Sequence, residues 1–165
     1  MKVKTIIEKV KSIYENLDTQ KIINLYDLVL YDLTNFFPLE EEEFFIESEI
    51  SYKDFKKIPQ NILNCENETY IVNPQSVESK NKNSLGKIRY TFVPNSKQIN
   101  EDSDCPYDEN FLNIIVYGIY AEYLLTLAMF EDALTWHNKQ INLIKDKIQK
   151  DKEKKGRKNE IGRQV

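Results

Sequence analysis

Glycine and proline are scarce in this chain, four and five respectively among 165 residues. That excludes collagen-like and low-complexity architectures and suits long regular elements. It also leaves no glycine-rich phosphate loop: neither the Walker pattern nor the dinucleotide pattern occurs, and there is no serine elbow. Histidine occurs once, as His137, and cysteine twice, as Cys65 and Cys105, 40 positions apart. Such a set cannot supply the Cys/His spacing of a zinc site. The two thiols read as free cysteines of a reducing compartment. No apolar run approaches the ~18 residues of a membrane span. The opening MKVKTIIEKV alternates charge with helical spacing instead of forming an apolar secretion core, so no leader peptide is expected.

Aromatic residues are plentiful, with ten tyrosines and eight phenylalanines. Tyrosine buries a large ring yet keeps a polar tip, which suits it to interfaces. The net charge of −4 hides an asymmetry. Residues 150–165 hold seven basic and three acidic side chains, +4 in all, so residues 1–149 carry −8. An acidic body argues against a DNA-gripping face, since affinity for DNA depends on neutralising phosphates.

Helical spacing appears first over residues 4–17, where Ile6, Val10, Ile13 and Leu17 share a face flanked by Ile7 and Tyr14. Asp18 and Thr19 then offer a cap, and a second helix is expected to reach Phe37, stopped by Pro38. Its stripe holds Ile22, Tyr26, Val29, Leu33 and Phe36. The period then falls to two. Glu43 to Tyr52 reads as one strand with Phe44, Ile46, Ile50 and Tyr52 inward, Thr69–Val72 as a short one, and Ile88–Val93 as a third with Ile88, Tyr90 and Phe92 on one face. The polar stretch 73–86 between the last two reads as a hairpin or long loop. A third helix is expected from about Asp108 to Leu127, apolar on most sides and therefore buried on most sides. After a break near 129–132, a fourth carries Leu134, His137, Ile141, Ile144 and Ile148.

The expectation is thus an α+β chain, predominantly α-helical. Residues 1–149 form a single-domain four-helix bundle with a small antiparallel β-rich insert at about 40–98, between the second and third helices. Residues 150–165 form a basic, disordered tail.

Candidate chemistry is thin. His137 falls on the apolar stripe beside Trp136, with no nucleophile or orienting carboxylate in the pattern, so a packed or interface histidine is expected. Asp102, Asp104 and Asp108 are loosely spaced like cation ligands, but the glycine turn and distal glutamate of a calcium loop are missing. Loop solvation and helix capping are the expected roles. The acid run Glu40–Glu43 reads as a solvated loop or a surface for a basic partner. No catalytic, cofactor or metal residues are assigned, and an enzymatic role would require Asp104, Asp108 and His137 to converge in a pocket.

One stretch stands out. Val116–Asn138, VYGIYAEYLLTLAMFEDALTWHN, is a long apolar helix with tyrosines, an acidic step and a second amphipathic helix. After Ile88-Arg89-Tyr90 and Pro94 comes a spacer with Ile99, Asp102 and Asp104. Leu112–Leu124 then places tyrosines and alanine before an acid, as Ala121-Glu122-Tyr123-Leu124, and Glu131-Asp132-Ala133 steps into the last helix. Together with the order helix, helix, β insert, apolar helix, final helix, this pattern resembles the head–tail connector (neck adaptor) proteins of tailed bacteriophages. The polar segment 73–84 and the basic tail depart from that family. The resemblance implies a non-enzymatic virion protein of the neck, present in the host cytoplasm during assembly. It would form a homo-oligomeric ring when assembled, from subunits that can be monomeric beforehand, and would join the portal protein to a downstream neck or tail protein. It would extend a channel through which DNA passes without specific binding. The implied interface residues are Tyr117, Tyr120, Tyr123 and Trp136, with Lys154, Lys155, Arg157 and Lys158 of the tail meeting the portal. The other reading of the same residues is a bacterial helical protein-binding adaptor or regulatory module.

Overall fold

A computed structural model describes residues 1–94 and 99–161, with side chains to Lys154. Four α-helices occur: α1 (Val3–Lys11), α2 (Thr19–Thr34), α3 (Leu112–Thr126) and α4 (Phe130–Ile161). Six strands stand between α2 and α3: β1 (Leu39–Phe45), β2 (Glu49–Ser51), β3 (Pro59–Cys65), β4 (Tyr70–Val72), β5 (Ser76–Ser79) and β6 (Gly86–Phe92). The chain divides into two compact units, one of residues 1–30 with 98–165 and one of residues 31–97.

The expected four-helix bundle does not form. The helices run 9, 16, 15 and 32 residues, too unequal to share four parallel seams. The middle of the chain is no small insert either. It makes two three-stranded antiparallel sheets, in the orders β1-β6-β3 and β2-β5-β4, around a core of its own.

In the helical unit the apolar spacing of α1 buries Val3, Ile6, Ile7 and Val10. No side chain caps its start. Its first free amides are met instead by the 101–103 loop, with Val3 N–H donating to Ser103 O at 3.0 Å and Lys4 N–H to Glu101 O at 2.9 Å. Asp18 caps α2, its Oδ1 accepting from Lys21 N–H at 3.0 Å. Helix α3 packs against α1 and α4 and buries eight of its fifteen residues, from Ile114 to Leu124. Gly118 permits this closeness: a β-carbon there would stand 2.9 Å from Val29 Cγ1 and 2.4 Å from Gln140 Nε2. The Tyr120 hydroxyl donates to Val10 O, tying α3 to the end of α1.

Just past the end of helix α3 stands Ala128, whose φ of 56° is left-handed. Met129 N–H donates to Leu124 O at 3.0 Å and Ala128 N–H to Leu125 O at 3.1 Å, the bond pattern of a Schellman cap. Helix α4 then begins with Glu131 and Asp132 in its first turn, where negative charge suits the helix dipole. It continues past residue 150 to Ile161, where a tail was expected; residues 162–165 lie outside the described residues. Its charged stretch is laced at i,i+4, with Lys147–Asp151 at 3.9 Å and Gln149 Nε2 donating to Glu153 at 3.2 Å.

In the β unit, Phe45, Ile50, Phe55, Val77, Leu85, Ile88, Tyr90 and Phe92 build the core. The single strand expected over 43–52 is two strands in different sheets; the facing is reversed in its first part, whereas Ile50 is buried and Tyr52 packs on the core as expected. Phe44 and Ile46 are 63% and 75% exposed, while Phe45 and Glu43 are buried. A one-residue offset in a strand exchanges its faces, and here the inward position of Glu43 has partners: the Tyr90 hydroxyl and, at 3.1 Å, Lys56 N–H. The acid run is likewise not a loop. It is β1, with Glu40 on Arg89, Glu41 on Lys57 at 2.9 Å and Glu42 on Lys87 at 3.4 Å. Strand β5 occupies the stretch read as loop and is the central strand of its sheet. Gly86, at φ 70°, lets the chain pass under the Glu66 carboxylate, which accepts from Lys87 N–H at 2.9 Å.

Candidate interaction surface

Titratable groups of the helical unit do not converge. Asp104 is exposed and pairs with Lys2 at 2.9 Å, which holds its carboxyl below the usual range. The Asp102 backbone carbonyl also accepts from Lys2, at 3.1 Å. Asp108 accepts from Asn110 N–H at 2.9 Å and so caps the short turn Glu109–Phe111 before α3. The three aspartates thus do loop and capping work. His137 is exposed, not packed, because the face that α4 turns inward carries Ala133, Gln140 and Ile144. Among the described residues no three His, Cys, Asp or Glu side chains are grouped as metal ligands. No described helix is long and apolar enough to cross a membrane. Both cysteines are free and buried, and burial pushes both thiols up.

The tyrosines singled out by the sequence divide. Tyr120 is buried, stacks on Trp136 at 5.0 Å and has its hydroxyl pushed up to about 12, chiefly by burial. Tyr117 is half-buried, also against Trp136, at 5.2 Å. Tyr123 is half-buried under Tyr14 and the Lys21 ammonium. Trp136 is half-buried beneath Lys139. These four rings are therefore largely spent inside the chain itself. Lys154 is exposed; Lys155, Arg157 and Lys158 lie on α4 with side chains outside the described residues.

Large apolar side chains are exposed at several places, among them Ile13 and Leu28 in the helical unit and Phe44, Ile46 and Ile58 in the β unit, but they are closely grouped in sequence where α3 turns into α4. Leu125, Leu127, Met129, Phe130 and Leu134 are all exposed, Phe130 by 67% and Leu134 by 58%. Five large apolar side chains within ten residues of a tight turn form a knuckle that water solvates poorly. Glu131 and Asp132, both exposed, stand beside it. The sequence reading assigned Leu125 and Leu127 to the buried faces of α3 and Leu134 to the buried stripe of α4. The break near 129–132 was legible, but its consequence for the flanking apolar side chains was not.

A second feature sits near the other end of α3. A cavity of about 270 Å³ opens between the start of α3 and the second half of α4, with Ile114 and Leu143 as its apolar floor. Lys147, Lys150 and Lys154 line it together with Asp146 and Asp151. Neither His137, Asp104 nor Asp108 reaches it.

No family model matches this chain, and no curated protein matches it.

Proposed function

We propose that this chain is a non-enzymatic assembly subunit, a head–tail connector of a tailed phage or prophage that joins the portal protein to the next neck or tail protein. The observation that carries the reading is the apolar knuckle at 125–134, a surface left for another protein to cover. Two further features support it. The chain order on which the resemblance rests, two helices, a β unit, an apolar helix and a final helix, is the order of the elements. The body charge of −8 suits a channel wall, since a wall that repels phosphate lets DNA slide. In this reading the protein acts in the virion neck after assembly in the host cytoplasm.

The test is co-sedimentation with the portal protein encoded in the same genome. The wild-type chain should travel with portal in a stable complex, and a chain ending at Lys154 should bind at least about tenfold more weakly, since it loses basic contacts. No complex at any ionic strength would remove the connector reading.

A further inference from the structure

The knuckle and the cavity sit about 20 residues apart along one helix, Phe130 against Lys150. At 1.5 Å per residue that separates them by roughly 30 Å. They cannot meet within one subunit, yet their chemistry is complementary. The knuckle presents Phe130 and Leu134 flanked by Glu131 and Asp132. The cavity offers an apolar floor, Ile114 and Leu143, under a rim of three lysines and two aspartates, Asp146 and Asp151, that is net positive by one charge. Lys147 is already engaged, with Asp151 at 3.9 Å and over the Phe111 ring at 5.1 Å. Lys150 and Lys154 have no ion pair among the described residues, and neither do Glu131 and Asp132.

We infer that the partner of the knuckle is a second copy of this chain: the α3–α4 turn of one subunit seats in the cavity beside α4 of the next. Phe130 enters over Ile114 and Leu143, and Glu131 and Asp132 meet Lys150 and Lys154. The inference deepens the assembly reading and rests on it, for it names the two faces that subunits would join. A contact between two different faces is heterologous, so it propagates until the rotation closes a ring or leaves an open filament. Burial of the apolar centre supplies affinity, while the charged flanks set orientation and suppress wrong pairings.

The test uses charge exchange in the full chain. One variant carries Glu131→Lys and Asp132→Lys, so that knuckle and rim are both positive. The other carries Lys150→Glu and Lys154→Glu, so that both are negative. All four positions are exposed, so circular dichroism should match wild type, while the two first-turn lysines should lower the thermal midpoint slightly by opposing the helix dipole. In sedimentation velocity the wild type should self-associate with rising concentration. Each variant alone should lose association at least about tenfold. An equimolar mixture should recover it, because each positive knuckle then finds a negative rim and the reverse. Phe130→Ser should weaken association in every combination. A wild type that stays monomeric throughout, a variant that associates as wild type does, or a mixture that fails to recover would each overturn the inference. Portal co-sedimentation keeps the two ideas apart. Portal capture without charge-dependent self-association removes this contact and leaves the connector reading. Charge-dependent self-association without portal capture does the reverse.

Discussion

Two tyrosines show how differently the same side chain can be buried. Tyr90 donates its hydroxyl to Glu43, whose carboxylate also accepts from Lys56 N–H. Tyr26 is buried, and its hydroxyl has no hydrogen-bond partner of normal geometry among the described residues, the Cys105 thiol being the polar group beside it. Burial raises both phenols. A buried polar group that loses its partner costs about 1–3 kcal/mol, and one that never had a partner has already incurred that cost. Tyr90→Phe should therefore destabilise by about 1–3 kcal/mol, leaving Glu43 short of a donor. Tyr26→Phe should leave stability unchanged or raise it by up to about 1–3 kcal/mol. Urea unfolding of the two variants checks the pair, and equal losses would contradict it. Neither environment was legible in the sequence. Both tyrosines read simply as inward on their stripes, and the inward turn of Glu43 contradicts its charge. A hydroxyl from a strand 47 residues away and the Lys56 amide together make that position tolerable.

Elements were legible where one physical signal dominated. The apolar spacing of α1, α2 and α3 and the alternation of β6 place those elements in the chain, with ends off by up to four residues except at α1, which stops at Lys11, six residues short of the expected Leu17, and leaves Ile13 and Tyr14 exposed. The strands that escaped lacked such a signal. Strand β3, PQNILNC, begins with a proline and carries two asparagines, and β5, SVES, is short and polar. Both are set by pairing, β3 at the edge of its sheet and β5 at the centre of the other, and not by their own preferences. The extent of α4 escaped because residues past 150 lack an apolar stripe but are rich in good helix formers. Packing between helices is sharpest at Gly118. Gly118→Ala adds helix propensity of up to about 1 kcal/mol, but its methyl meets the branched side chain of Val29 at 2.9 and 3.0 Å. Overpacking of this kind costs about 1–3 kcal/mol. The variant should be less stable on balance in thermal unfolding, and a higher midpoint would show that α2 and α3 can yield.

Considered as a whole, the molecule separates two things that the sequence had merged. The apolar surplus of the 116–138 stretch was legible as material for an interface, and the tyrosines were its expected carriers. In the folded chain Tyr117, Tyr120, Tyr123 and Trp136 close the helical unit, and the surplus emerges at the turn after them. Where a surplus surfaces depends on helix ends and on the rotation of α4, which a hydrophobic period alone does not fix. The connector account stands on this exposed turn being covered in the assembly. Hydroxyl-radical footprinting of Met129 and Phe130 measures that directly, comparing the free chain with its portal-bound form. The account predicts strong labelling of both residues in the free chain at dilution where it is monomeric and protection of both on assembly; equal labelling in the two states would contradict it.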